Sequence, residues 1–394
     1  MSKIGEMVEC NPQVKLQKGS SYNVVDIDNI IVGNRTVLGK LPEMYNGQSG
    51  CHFANGDTVL ARITPCLENG KFAQIRCETQ KGFGSTELFV FRGKKDKTDN
   101  DYVYYLIALP FIRKMAANSM TGASGRQRAD LDFIKKIEWS FPALPIQRKI
   151  ASILSAYDNL IENNNKRIKI LEQMAENLYK EWFVRFRFPG HETTPLENGI
   201  PKGWKKNRLS DLIDVDPLLP IKKGIQVKSI PMEALSTDSM IVDENCIQLI
   251  DNPSGSHSQN GDTLVARITP CLENGKTGFV RCLDDGETAT GSTEFIVLRS
   301  KELSPYYVYC FARSQYFRQT AILSMNGADG RQRVNVPKIK SMKITKPSNE
   351  IIKQFDSIVK PIFEEVYLLT KQNKNNIKQR DLLLPRLMSG NLAV

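Results

Sequence analysis

The sequence predicts an α+β protein that contains itself twice: two similar mixed α/β globular domains, separated by a pair of long antiparallel coiled-coil helices with pseudo-twofold symmetry. Three observations predict it. Residues 55–71 read NGDTVLARITPCLENGK and residues 260–276 read NGDTLVARITPCLENGK, 205 positions later. Each copy holds short β-type runs punctuated by glycine turns. Each copy is followed by a long stretch whose apolar residues step by threes and fours. A period this long is no solenoid repeat, because each copy is large enough to bury its own core.

The register persists from end to end. Near the start, Ile4 to Val8 lie over Leu209 to Ile213, and Asn11-Pro12 over Asp216-Pro217. In residues 57–63, Val59, Ala61 and Ile63 alternate with Thr58, Leu60 and Arg62, a strand pattern; residues 72–76 and 88–91 are further strands. Gly84-Ser85-Thr86-Glu87 matches Gly291-Ser292-Thr293-Glu294 across a two-residue insertion. Residues 101–115 read as one helix with Val103, Leu106, Ile107, Phe111 and Met115 on one side. The loop at residues 119–128 (SMTGASGRQR) has its twin at 324–333 (SMNGADGRQR), and Pro142 falls on Pro347.

After Pro142 and Pro145 the character changes. Residues 146–186 contain no glycine or proline, and Ile150, Leu154, Tyr157, Ile161, Asn164, Ile168, Leu171, Ala175, Leu178 and Trp182 form one stripe. A helix of about 40 residues is about 60 Å long, too long for a domain core. Its counterpart spans residues 350–387, with Phe355, Val359, Ile362, Val366, Leu369, Asn373, Ile377, Arg380 and Leu384 on the stripe and Pro361 expected to distort its first turns. Two helices with one apolar seam each satisfy one another by pairing, and Asn164 and Asn373 would fix the register. The alternative is that each helix packs on its own globular unit. Residues 187–204 (RFPGHETTPLENGIPKGW) carry a linker signature. The expected domains are 1–142, a helix at 143–187, a linker at 188–204, a second domain at 205–347 and a second helix at 348–394.

The formal charge of +11 points to an anionic partner. No apolar run of membrane-spanning length and no leader is evident, so a cytoplasmic protein is expected. The eight cysteines form no C-x-x-C pair, and three histidines add no metal-ligand spacing, so buried thiols of a reducing compartment are expected and no metal.

The order globular, helix, linker, globular, helix, together with its residues, resembles the specificity subunit of a type I restriction-modification system over essentially the whole chain. The family's G-D-[ILVT]-x-x-x-R segment is matched at residues 56–62 and 261–267. The approach to its first long helix is matched by residues 143–154 (ALPIQRKIASIL) followed by Asp158, and its ending by residues 382–390 (LLLPRLMSG). One departure stands out: Pro201-Lys202-Gly203-Trp204 leads into the second domain, and the first has no equivalent, so either its N-terminal strand is missing or the true start lies upstream. The resemblance implies a non-catalytic subunit with two target-recognition domains that read a bipartite DNA site. It implies partners: double-stranded DNA, two methylation subunits using S-adenosylmethionine, and restriction (endonuclease/translocase) subunits using ATP and Mg, with no cofactor in this chain and no membrane. In keeping with this, the chain lacks a G-x-x-x-x-G-K-[ST] loop, a G-x-G-x-x-G after a strand, and an N-P-P-Y or D-P-P-Y motif.

Reading elements for DNA must be polar and exposed. The first candidates are Arg126, Gln127, Arg128 and their twins Arg331, Gln332, Arg333, where glycines allow close approach; the alternative is a basic surface turn. The second are in the shared block: Arg62 and Arg267 for guanine, Asn69 and Asn274 for adenine, Lys71 and Lys276 for phosphate, with Thr64 and Thr269 beside them. Ser85, Thr86, Ser292 and Thr293 complete the set. Shared blocks predict half-sites that resemble each other, hence a near-palindromic site around an unread spacer, and the divergent residues 22–50 and 227–255 are where differences between half-sites should map. Lys166, Arg167, Lys169, Glu172 and Glu176 on the first long helix are expected docking residues for methylation subunits. Rival readings are a type II specificity module, an enzyme built on His52 and His257 near Asp57 and Asp262, and a coiled-coil interaction protein.

Overall fold

A computed structural model describes residues 1–123, 125–221, 226–328 and 330–394. Positions 124 and 329 of the twin loops therefore lie outside the described residues. The chain divides into two compact units, Met1–Asn163 with Asn373–Val394, and Asn164–Gln372.

In the first unit the duplicated block forms the middle of a five-stranded sheet ordered Val8–Cys10, Leu88–Gly93, Thr58–Ala61, Phe72–Arg76, Thr36–Leu38, in which only the last pair is parallel. Every residue of Thr58–Ala61 is buried. Its alternation therefore marks two covered faces. Leu60 joins Tyr102, Leu106 and Ile112 under the helices, while Val59 and Ala61 join Val25, Val37, Phe53 and Ile75 in a separate core. The strands behind that second core form a four-stranded sheet ordered Glu43–Met44, Ser21–Val25, Lys81–Gly84, Cys51–Ala54.

The second unit repeats this plan with sheets ordered Ile213–Val215, Phe295–Ser300, Thr263–Ala266, Thr277–Phe279 and Gln248–Ile250, Val227–Ile230, Ala289–Gly291, Ser256–Ser258. The counterpart of Thr36–Leu38 shrinks to a single bridge from Ile241 to Phe279. The first domain does have an initial strand: Ser2–Lys3 pairs with Glu138–Trp139, where the second pairs all of Lys205–Arg208 with Lys343–Lys346.

The helix expected over residues 101–115 is two helices, Asn100–Ala108 and Pro110–Asn118, with Leu109 at ψ 127° between them. Pro110 disfavours a helical residue before it, but the break belongs to the shared fold, since the equivalent Ser314, at ψ 149°, breaks the second copy before Gln315 and caps the next helix by accepting from the Phe317 amide. Phe111, expected on the apolar side, is 53% exposed as a result. The second copy breaks at the same place, between Pro305–Arg313 and Gln315–Leu323.

The two long helices are Leu144–Tyr179, continued by a π turn at Lys180–Val184, and Asn349–Met388, which runs unbroken through Pro361. In the first unit Ile150 and Leu154 share a core with Leu384, Leu387 and Met388. In the second, Trp182 packs on Phe355 with ring centroids 5.9 Å apart, and Arg167 pairs with Glu365 at 2.6 Å. Early residues of one helix meet late residues of the other, so the helices are packed antiparallel. Asn164 is on the seam and donates to Gln372 Oε1 at 3.5 Å. Ile377 departs from the expected seam and is 40% exposed. Arg380 belongs to it for a reason the stripe did not reveal: its Nη1 donates to buried Asp158 at 2.7 Å. The proline-rich segment 188–204 is anchored by Phe188 stacked on Trp204, both buried. No helix among the described residues is long and apolar enough to cross a membrane.

Candidate nucleic-acid interface

The Gly-Asp pair that opens the family motif is a turn that places the arginine five residues on. Gly56 and Gly261 have φ of 88° and 90°, the left-handed region that favours glycine. Asp57 is fully buried, accepts from the Ala54 amide at 2.7 Å, and takes both arms of Arg92 at 2.7 Å. Asp262 does the same with the Gln259 amide and Arg299. These aspartates are consumed by structure, which removes the carboxylate from any catalytic pairing with His52 or His257. No metal-binding group of His, Cys, Asp and Glu occurs among the described residues, and the eight cysteines are free thiols.

The strand leaving this turn ends at Ala61, and from Arg62 onward the two motifs singled out in each copy meet. Thr64 Oγ1 accepts from the Gln127 amide at 3.1 Å and its own amide donates to the Gln127 carbonyl at 3.0 Å. Ile63 bridges Arg128, Arg128 bridges back to Thr121, and Ala129 donates to the Arg62 carbonyl. The Gly-Arg-Gln-Arg loop is thus a small hairpin seated on the Arg-Ile-Thr-Pro turn. Thr269, Gln332, Ile268, Arg333 and Asn326 repeat the arrangement bond for bond. Thr64 and Thr269 spend their hydroxyls on this seat.

Arg128 is held by a residue the sequence reading passed over. Its Nε donates to both oxygens of Glu87 at 3.0 Å and its Nη2 to Oε1 at 2.6 Å; Arg333 grips Glu294 at 2.9, 2.9 and 2.6 Å. The hydrogen bond from the arginine holds each carboxylate below the usual glutamate range, against the opposing effect of partial burial. Ser85 and Ser292 accept from the amides of Glu87 and Glu294 at 3.1 Å, so they shape the turn that carries the clamp. The signal was present: Gly-Ser-Thr-Glu recurs intact across the insertion.

The remaining candidates sort by placement. Arg126 and Arg331 are exposed and their side chains have no hydrogen-bond partner among the described residues. Thr86, Thr293, Asn69 and Asn274 are exposed. Arg62 lies 4.9 Å over the Phe89 ring, and Arg267 Nε lies 4.0 Å from Glu294; the Nε of each is buried without a hydrogen-bond partner among the described residues. Lys71 and Lys276 turn inward, donating to the Ile27 carbonyl at 3.0 Å and the Met232 carbonyl at 3.3 Å. On the long helix, Lys166 and Lys169 are exposed, whereas Glu172 accepts from the Met240 amide at 2.6 Å and Glu176 from Arg313 at 3.2 Å.

The chain is a duplicated α+β module with matched polar surfaces in its two copies, combined with long paired helices. The family described as "Type I restriction modification DNA specificity domain" matches residues 1–173. The chain is 26% identical over 324 residues to the type I restriction enzyme MjaIX specificity subunit of Methanocaldococcus jannaschii, covering 76% of this chain and 71% of that protein. It is 22% identical to the HindI specificity subunit of Haemophilus influenzae over 415 residues, 88% of each. The fold matches the crystal structure of the type I S subunit from M. genitalium with a TM-score of 0.56 and 13% identity, covering 98% of this chain and 95% of that one. Residues 1–173 thus carry a type I restriction modification DNA specificity domain, and over most of its length the chain is similar to type I specificity subunits. Such a subunit is the non-catalytic DNA-specificity component of a complex with other subunits, and needs no cofactor of its own.

Proposed function

We propose that each globular domain, residues 1–142 and 205–347, reads one half of a bipartite DNA site through the surface built around the seated loop. The reading rests above all on one observation, the Arg128–Glu87 and Arg333–Glu294 clamps, which present the same fork of donors twice. A guanidinium pre-positioned by a carboxylate loses less freedom when it meets a base edge. Arg126 and Arg331, with no partner to give up, are suited to phosphate, and Arg62, Gln127, Arg128, Arg267, Gln332 and Arg333 with Thr86, Thr293, Asn69 and Asn274 to base edges. Ser85, Ser292, Thr64 and Thr269 support them. Lys71 and Lys276 would have to release a backbone carbonyl to reach phosphate.

Because the surfaces match, the half-sites resemble one another, and the site is near-palindromic around a spacer set by the long helices. Partner methylation subunits, supplied with S-adenosylmethionine, dock on those helices (residues 143–187 and 348–394), and restriction subunits supply ATP- and Mg-dependent cleavage; the setting is the cytoplasm, where the DNA is. Single-molecule sequencing of adenine methylation in a host expressing this chain with its neighbouring methyltransferase tests the reading. A split, nearly palindromic motif that vanishes without this chain is expected. Methylation that is the same with and without the chain, both proteins being expressed, would overturn it.

A further inference from the structure

Behind each clamp is a pocket, and the two pockets are built from equivalent residues. In the first domain Asn11, Pro12, Gly50, His52, Arg62 and Thr86 line a cavity of about 510 Å³. In the second, Asp216, Pro217, Gly255, His257, Arg267 and Thr293 line one of about 270 Å³. Asn11 and Asp216 are spent on the wall, each accepting from a strand amide at 2.9 Å. An arginine, a histidine and a threonine are the polar groups that both linings share beyond these.

The histidines start from the same bond and end differently. His52 Nδ1 is 3.0 Å from the Val14 carbonyl, and His257 Nδ1 is 2.7 Å from the Leu219 carbonyl. A carbonyl only accepts, so Nδ1 carries the proton in both rings, and the neutral ring offers Nε2 as an acceptor. In the first domain that acceptor is taken: the Tyr45 hydroxyl donates to it at 3.2 Å, and Tyr45 itself is buried, edge-on against His52 and tilted against Phe83. In the second domain this aromatic cover is gone. Thr290 occupies the strand position of Phe83 and donates its hydroxyl to the Ser254 carbonyl. His257 Nε2 has no hydrogen-bond partner among the described residues, and beside it in the lining the Ser256 Oγ is buried without one.

We propose that the second pocket reads an adenine, with Arg267 donating to N7 and His257 Nε2 accepting from the N6 amino group, and that Tyr45 denies the first pocket this reading. This rests on the reading of the domains as DNA readers. In the major groove adenine alone sets an acceptor beside an amino donor on one base; guanine shows two acceptors, cytosine an amino donor, thymine an acceptor and a methyl. An arginine donor and a histidine acceptor lining one pocket therefore match adenine. The inference adds an asymmetry to the near-palindrome: the half-sites differ at the position that faces these pockets.

The test is selection and sequencing of randomised duplexes by the complex assembled from this chain and its partner subunits, with the second half-site assigned as the one whose base preferences Arg333→Ala relaxes. The wild-type complex is expected to prefer adenine at one position of that half-site. His257→Phe should relax this preference about tenfold, while the first half-site, still selected, reports a folded chain. Tyr45→Phe, which removes only a hydroxyl, should free His52 and create an adenine preference at the matching position of the first half-site. An unchanged preference in His257→Phe overturns the proposal. Should that variant lose both half-sites through misfolding, the absence of any new preference in Tyr45→Phe overturns it instead. A wild-type complex without sequence preference would sink the DNA-reading assignment itself and this inference with it, an outcome distinct from the other two.

Discussion

At one equivalent position of the two long helices, Asp158 and Phe363, the first domain is fastened by a polar network and the second by aromatic rings. In the first, buried Arg35 reaches Asp101 at 2.7 Å and Gln74 at 3.1 Å, the Tyr105 hydroxyl donates to Asp158 at 2.5 Å, and Arg380 donates to the other Asp158 oxygen at 2.7 Å. Two hundred and five positions after Asp158 stands Phe363, whose ring centroid lies 5.0 Å from Phe279 and 5.5 Å from Tyr309. Tyr179, Trp182, Phe183, Tyr307 and Phe355 extend this cluster. A charge network is directional and fails when one member leaves, because the rest are stranded in a dry interior. A ring cluster stabilises in proportion to area and weakens by degrees. One fold accepts either fastening because the two answer to different physics at the same place.

The largest effect should therefore come from Asp158→Ala, which strands Arg380 and the Tyr105 hydroxyl and should cost about 3–5 kcal/mol in urea denaturation. Phe363→Leu should cost about 1–2 kcal/mol. Equal costs would break the comparison. The next effect belongs to the second unit alone. Burial pushes the Glu172 carboxyl up to about 7, against the Met240 amide that favours the charged form. A raised carboxyl pKa means the unfolded chain gives up its proton first as pH rises, so stability falls between about pH 4.5 and pH 7 and the cost is complete above that. Glu172→Gln should raise stability by about 2 kcal/mol at pH 8 and by little at pH 5, measured as the shift in thermal midpoint at each pH. A pH-independent shift would rule out the protonation account.

Much of this was legible in the chain. The duplicated block and the stepped apolar stripes contain the fold, because helix and strand periods are local and a repeat exposes its own register. Asp158 and Arg380 were not legible as a pair: 222 positions apart, on two helices, they read as an ordinary charge and an oddity on a stripe. Candidate residues were found by type, since DNA recognition uses few side chains, but type does not tell commitment. Lys71 and Lys276 have the right charge and spend it on backbone carbonyls. Glu87 has the wrong charge for DNA and was passed over, although it holds the best-placed fork in the domain. The helix expected over residues 101–115 was not legible as two because its apolar spacing continues through the break, which recurs at Ser314 before Gln315 and so follows from tertiary packing and not from Pro110 alone.

On the reading surface the comparison should reverse, with both domains behaving alike. Arg126→Ala and Arg331→Ala should each lower the slope of log affinity against log salt by about 1 and weaken binding to all sequences to a similar degree. A loss confined to particular bases would instead make these arginines base readers.

The smallest effect on stability, and the most telling one for the surface, should come from Glu87→Gln and Glu294→Gln. Arg128 and Arg333 are about half exposed, so the clamp is a surface ion pair and its loss should cost under about 1 kcal/mol. Binding responds in two opposed ways. Removing a negative charge beside phosphates favours DNA of any sequence, whereas freeing the guanidinium widens the geometries it samples and blunts discrimination between bases. Affinity for random duplex should therefore rise slightly, while the ratio of cognate to random affinity falls about fivefold. Arginine holds both carboxylates below the usual range, so the clamp is fully formed above the ordinary glutamate pKa and is lost only as pH falls through the depressed value. The ratio should accordingly be insensitive to this pair between pH 6 and pH 8, where DNA binding is measured. Equal losses in the two variants are what the bond-for-bond match of the clamps demands. A rise in random affinity with an undiminished ratio would show that Glu87 and Glu294 merely neutralise their arginines and do not aim them.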